Sequence, residues 1–291
     1  MEEFIAKKIE KRGKLLHLLT LGRPWNGLLL ILSFFLGASL VGFANPLSTV
    51  LGASVFLFLY MAGTTLNDIF DFNEDSINMP YRPLQKKIIK IKEAYIFSIF
   101  LYLLGLSIAF VLGPLFLFIS SLFVILSIAY SVEPVKLVKR GIFGNTVLAI
   151  VSIFLPSMGG TIVNSSPPQL TILAIVCLTI FFLGVSLFKD FKDLVGDSEH
   201  NKITPAVKFG IKRTTYLGVF KSTLFFILFI TAIIFLKRNI FLILLAVLLI
   251  PIVNIKTNKK YSKNESSRFT HLRLILLPTL IIIIIALSIT P

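Results

Sequence analysis

The chain has 291 residues and six aspartates, and all six fall in two short stretches. In residues 65–84, TLNDIFDFNEDSINMPYRPL, Asp68, Asp71 and Asp75 stand at offsets 0, 3 and 7. In residues 186–210, SLFKDFKDLVGDSEHNKITPAVKFG, Asp190, Asp193 and Asp197 repeat the same offsets. At 3.6 residues per turn this spacing puts three carboxylates on one face of a helix. Asn67, four residues before Asp71, adds an amide oxygen to the first row. Two unit charges about 6 Å apart repel by roughly 3 kcal/mol at an effective dielectric of 20. Six carboxylates facing one cavity would therefore protonate unless cations neutralised them. The donors are oxygens, with no Cys or His cluster beside them, which points to a hard divalent ion. Magnesium takes one or two protein carboxylates and completes its shell with water and phosphate oxygens. The chemistry implied is the gripping of a diphosphate on Mg2+. Arg23, Arg82, Lys139, Arg140 and Lys189 are the cations placed to clamp its remaining charge. A second reading makes the aspartates a cation path in a coupled membrane transporter. It fits less well, because the aspartates lie at the ends of apolar runs and transporter sites lie near the midplane.

These rows must be positioned by a membrane bundle. Hydrophobic residues make up 56% of the chain, charged residues only 15%, and mean hydropathy is +0.90. Residues 1–22 read as a basic, partly amphipathic segment at the membrane surface. Residues 23–291 read as one intramembrane domain. Nine apolar runs follow, over 24–43, 48–70, 94–112, 115–130, 143–163, 170–188, 216–236, 240–255 and 272–290. Most approach the roughly 20 residues that span a bilayer core. The expected fold is all-α with nine transmembrane helices.

Charge sets the orientation. With the N-terminus in the cytosol, the cytosolic segments carry nearly every Lys and Arg. Lys237 and Arg238 alone fall in an external loop, and the C-terminus is external. Lys221 is left over inside the seventh run, near enough to its cytosolic end to snorkel. The net charge of +15 is thus topological and does not call for nucleic acid. Both aspartate rows, Arg23 and Tyr130 fall at cytosolic ends, so the polar chemistry converges on one mouth facing the cytosol. A weak internal repeat accompanies this: Asn26 and Asn145 each begin an apolar run, and the aspartate rows follow 42 and 45 residues later. Two four-helix halves plus a ninth helix would produce it. Cys177 and the Pro156, Gly159 and Gly160 group read as packing features. His17, His200 and His271 read as solvated loop residues.

The residues resemble the UbiA superfamily of intramembrane prenyltransferases. Asn67, Asp68, Asp71 and Asp75 match its NDxxDxxxD signature, and Asp190, Asp193 and Asp197 match its DxxDxxxD signature. RPWN at residues 23–26, the Arg-Pro pair at 82–83, YSVEPVKLVKRG at 130–141 and GNTVLA at 144–149 are similar as well. There are departures: Gln85, Lys86 and Lys87 stand where the family has a small pair, Glu133 replaces a proline and Lys136 an arginine.

The resemblance implies a nine-helix fold and Mg2+-dependent transfer of a prenyl group from a polyprenyl diphosphate, such as geranylgeranyl diphosphate, releasing diphosphate. The acceptor would be lipophilic: an aromatic quinone-type precursor or a glycerol ether lipid such as geranylgeranylglyceryl phosphate. By the same resemblance Asn67, Asp71, Asp75, Asp190, Asp193 and Asp197 hold the metal. Asp68, Asp71, Asp193 and Tyr130 act in catalysis. Arg23, Asn26, Arg82, Lys139, Arg140 and Lys189 bind the diphosphate. The topology has its own check: a cysteine introduced at Ser165, between the fifth and sixth runs, should react with an impermeant maleimide from outside. Labelling only from the cytosol would reverse the orientation.

Overall fold

The computed structural model describes residues 13–187 and 203–235, and all secondary structure among them is helical. The helices are α1 (Lys14–Gly22), α2 (Pro24–Val41), α3 (Pro46–Phe70), α4 (Phe72–Asn78), α5 (Ile91–Leu112), α6 (Pro114–Ser131), α7 (Ile142–Ala149), α8 (Leu155–Asn164), α9 (Gln169–Ser186) and α10 (Pro205–Phe235). A π-helical turn, Ile150–Phe154, joins α7 to α8. Seven stretches are long and apolar enough to cross a membrane: α2, α3, α5, α6, Ile142–Asn164, α9 and Pro205–Ala232. They match the first seven expected runs. The last two of the nine expected runs, at 240–255 and 272–290, lie outside the described residues.

Two compact units divide the chain. The first comprises residues up to Ile31 together with Val50–Leu137. Here α5 lies against α3, with Ser98 Oγ donating to the Ala62 carbonyl at 2.9 Å. Tyr102 on α5 and Ser127 on α6 share a hydrogen bond of 3.0 Å. Phe56 on α3 sits edge-on to Phe116 and Phe123 of α6, at 5.9 and 5.7 Å between centroids. Beside this core Leu21, Ile69, Leu84, Ile89 and Ala94 form a smaller apolar cluster. It binds α1, the end of α3 and the loop after α4 to one another.

That cluster corrects one expectation. His17 is 2% exposed rather than solvated. It stands one turn before Leu21 and is carried inward with it, while Leu15 and Leu19 face outward. Positions four apart share a helix face, so docking Leu21 buries His17.

The second unit comprises Leu32–Thr49 and the described residues from Val138 onward. The latter half of α2 meets α8 at van der Waals distance through glycines. A Cβ on Gly37 would overlap the Ser157 carbonyl, and one on Gly160 the Phe34 carbonyl. Ser157 Oγ donates to the Ser33 carbonyl at 2.9 Å across the same seam. Small residues let membrane helices approach this closely, in line with the packing role read for Gly160. The π turn precedes Pro156, a residue that cannot donate to the helical ladder. Cys177 is buried, as a packing residue should be. Helices α9 and α10 meet through Phe181 and Phe226, 5.1 Å between centroids.

The seventh helix departs from expectation. It begins at Pro205 instead of near 216 and consists of two pieces broken at Gly210 (φ 75°, ψ 160°). Hydropathy marks where the chain turns apolar, at Tyr216; the turns bearing Lys208, Lys212 and Arg213 are helical but not hydrophobic. Only glycine adopts the Gly210 backbone without cost.

Gly160→Leu should overpack the seam between α2 and α8 and destabilise the protein by about 1–3 kcal/mol. It would be read as a lowered melting temperature in detergent. Gly13→Ala, where a Cβ meets nothing within 4 Å, should leave the melting temperature unchanged.

Candidate active site

The first aspartate row sits where the apolar helix α3 ends. Asp71 leaves the helical region (φ −98°, ψ 16°) and caps the short helix α4. The ladder is nevertheless nearly continuous. The Asp71 amide donates to Asn67 O at 2.9 Å, the Asp75 amide to Asp71 O at 2.8 Å, and the Met79 amide to Asp75 O at 2.8 Å. The carboxylates therefore keep the one-turn spacing read from the sequence, with a hinge at the middle one.

Each carboxylate has a basic partner. Arg82, on the loop after α4, pairs with Asp75 and reaches Asp68 at 3.0 Å. Arg23 pairs with Asp68 as well. Lys136 Nζ lies 2.8 Å from Asp71 Oδ1 and 3.5 Å from Glu74 Oε1, and donates to the Phe70 carbonyl at 3.3 Å. Asn67 Nδ2 donates to Asp71 Oδ2 at 2.9 Å. Gln85, at the position where the resemblance expects a small residue, ties its loop to α4 by donating to the Phe72 carbonyl at 2.8 Å.

The local folding that delivers these cations is specific. Arg23 is the single residue between α1 and α2 and takes the left-handed conformation (φ 48°). Non-glycine residues there are uncommon and cluster at functional sites. Lys136 is left-handed too (φ 32°) and is 5% exposed. Burial acts to lower the Lys136 ammonium, but Asp71 and then Glu74 outweigh it and hold it above the ordinary lysine value. Asp68 is 2% exposed. Burial pushes the Asp75 carboxyl up to about 7; Arg82 opposes the rise, and Asp68 and Asp71 add to it. A carboxylate so disposed gains from any cation brought to it.

Thr20, Arg23, Trp25, Asp68, Tyr81 and Arg82 line a small cleft here. The Trp25 indole N–H is buried and has no hydrogen-bond partner among the described residues.

Of the residues singled out from sequence, Asn67, Asp68, Asp71, Asp75, Arg23 and Arg82 come together. Asn26 is half-buried on the first turn of α2, its amide donating to Arg23 O at 2.9 Å. Tyr130 is half-buried on the last turn of α6. Lys139 and Arg140 belong to the second unit. Lys189, Asp190, Asp193 and Asp197 lie outside the described residues. Lys136 and Trp25 are the additions. A lone lysine after Pro134 looks like an ordinary cytosolic loop charge; its one distinguishing sign was that it stands where the resembling family has arginine.

Residues 27–277 match the UbiA prenyltransferase family. The chain is 31% identical over 248 residues to a digeranylgeranylglyceryl phosphate synthase of Korarchaeum cryptofilum, covering 83% of this chain and 85% of that one. It is 30% identical over 174 residues to another from Sulfurisphaera tokodaii; that match takes in 60% of this chain and 62%, less than two thirds, of the relative's length. The structure resembles a UbiA homolog from Archaeoglobus fulgidus bound to GPP and Mg2+, with a TM-score of 0.74 and 19% identity over 94% of this chain and 99% of that one. The chain therefore belongs to the UbiA prenyltransferase family.

Proposed function

We propose that this multi-pass membrane protein transfers a prenyl group from a prenyl diphosphate, such as geranylgeranyl diphosphate, to the hydroxyl of a glycerol ether lipid such as geranylgeranylglyceryl phosphate. The observation that carries it is the row of oxygen donors Asn67, Asp71 and Asp75 at the end of an apolar span, set among Arg23, Arg82 and Lys136. The glycerol acceptor is supported by the two archaeal relatives named digeranylgeranylglyceryl phosphate synthase. The full reading adds Asp190, Asp193 and Asp197 as further metal ligands and Lys139 and Lys189 as further phosphate ligands. The spans at 240–255 and 272–290 complete a nine-helix bundle beyond the basic segment 1–22, and the site faces the cytosol.

The first row fits Mg2+. Its donors are hard oxygens, and one of them, Asp75, is raised to about 7 by burial. Among the described residues no three His, Cys, Asp or Glu form a ready cage. Mg2+ takes one or two protein carboxylates and fills its shell with water and phosphate oxygens. When bound, Mg2+ would neutralise charge on the departing diphosphate.

The protein's own groups do the rest. Arg23 and Arg82 carry planar forks that match phosphate oxygens two at a time. Asp68 positions both, since it pairs with each. The unpaired Trp25 N–H lines the same cleft and can donate to a diphosphate oxygen. In the reaction the bond from the prenyl C1 to the diphosphate oxygen breaks, and the electron pair leaves with the diphosphate. The acceptor hydroxyl oxygen bonds to C1 and loses its proton to a diphosphate oxygen. The apolar interior holds the chain, at about 0.8 kcal/mol for each CH2 buried.

Asp71→Ala should lower turnover about a hundredfold or more while the protein still inserts and elutes as a single species. Wild-type turnover in that variant would refute the assignment. Arg82→Lys keeps the charge and loses the fork; it should raise the KM for the prenyl diphosphate about tenfold. Offered geranylgeranyl diphosphate with geranylgeranylglyceryl phosphate, 4-hydroxybenzoate and dihydroxynaphthoate together, the enzyme should prenylate the glycerol lipid. A prenylated ring as the main product would replace the ether-lipid acceptor with an aromatic one.

A further inference from the structure

The second unit contains a cleft of about 350 Å³ where the start of α7, the residue after α9 and both pieces of α10 come together. Its volume is at the lower end of the range for small-molecule sites. Phe143, Leu187 and Leu217 give it a hydrocarbon wall, and Arg140, Lys208 and Lys221 bring three positive charges to it. No carboxylate is among its described lining residues.

The position of Lys221 is the telling feature. It stands five residues after Tyr216, where α10 turns apolar, within snorkelling reach of the charged turns before it, and its side chain lines the cleft. Thr214, Leu217 and Lys221 stand at offsets 0, 3 and 7, on one face of α10, and all three line the cleft. Lys221 therefore faces this cavity and not the lipid. Among the described residues no carboxylate pairs with it. The break at Gly210 lets Lys208, on the preceding piece, share the same cavity. Among the described residues Lys208 has only the face of Phe209, 5.4 Å from its ring centroid, a weaker contact than a charge pair.

We infer that this cleft is the seat of the acceptor's phosphate: a phosphate monoester carrying a hydrocarbon tail, with its head on Lys208 and Lys221 and the first part of its chain along Phe143, Leu187 and Leu217. The inference rests on the glycerol-lipid acceptor proposed above. It separates the two anionic substrates by chemistry. A diphosphate needs oxygen donors that hold a metal, and the row at the end of α3 supplies them. A monoester is satisfied by lysine and arginine directly.

The test uses the full-length protein in detergent and two readouts, binding and kinetics. In native mass spectrometry geranylgeranylglyceryl phosphate should bind about tenfold more tightly than its dephosphorylated counterpart. Lys221→Gln and Lys208→Gln should each remove most of that preference, and Lys221→Arg should restore it. In turnover the same Gln variants should raise the acceptor KM about tenfold and leave the donor KM within about twofold. Three results would overturn the site: no preference for the phosphorylated lipid, equal binding of phosphatidylglycerol, or a rise in donor KM matching that in acceptor KM. Lysine-dependent binding without turnover would uphold the cleft and sink the proposed reaction. Turnover indifferent to both lysines would do the reverse.

Discussion

Everything in the first unit answers to one constraint: three aspartates and a glutamate gathered at the end of an apolar helix. Asp68 and Asp75 are buried, and a buried carboxylate without a partner is far more costly than one in water. The chain meets the cost with Arg23, Arg82 and Lys136, three cations against four carboxylates. Charge is close to balance without a metal, and the donors remain oxygen throughout. Such a site is stable at rest, and burial holds the Asp75 carboxyl above the usual carboxylate range. The proposed grip on a diphosphate would exchange one set of charge partners for another.

Holding the cations in place is the work of ordinary packing. Arg23 sits at a one-residue corner whose flanking helix is pinned by Leu21, and Leu21 packs with Ile69 near the end of α3 and with Leu84 two residues after Arg82. The three segments that carry Arg23, Asp68 and Arg82 thus share one apolar cluster. Thr64 Oγ1 adds a hydrogen bond to the Gly22 carbonyl at 3.0 Å, and Gly22 itself leaves room only for the Met61 side chain. Loosening the cluster would misplace the arginines without touching a charged residue.

How much of this could be read beforehand differs by residue type. The aspartate row was legible because its signal is local: three carboxylates at one-turn spacing in a chain with six. The seven described spans were legible because a bilayer demands length and hydropathy. Arg23 and Arg82 could be named as cations near the site, but their resting partners could not, since a loop residue's direction depends on how its ends are packed. Lys136 was harder. It turns inward through a left-handed backbone that no propensity announces, and from composition it was one loop lysine among many. His17 failed for the related reason that burial of α1 depends on a cluster assembled from four separated segments. The true start of α10 was hidden because helicity and hydropathy part company at its charged first turns.

The central claim is that the carboxylate row at the end of α3 holds the donor's diphosphate through a divalent cation. The direct measurement is calorimetric titration of an unreactive thiolo analogue of geranylgeranyl diphosphate into the metal-stripped protein, with and without Mg2+. The account predicts that binding appears with Mg2+ and is lost in its absence and in Asp75→Asn. Equal affinity in the presence of a chelator, with Arg23 and Arg82 sufficing alone, would contradict it.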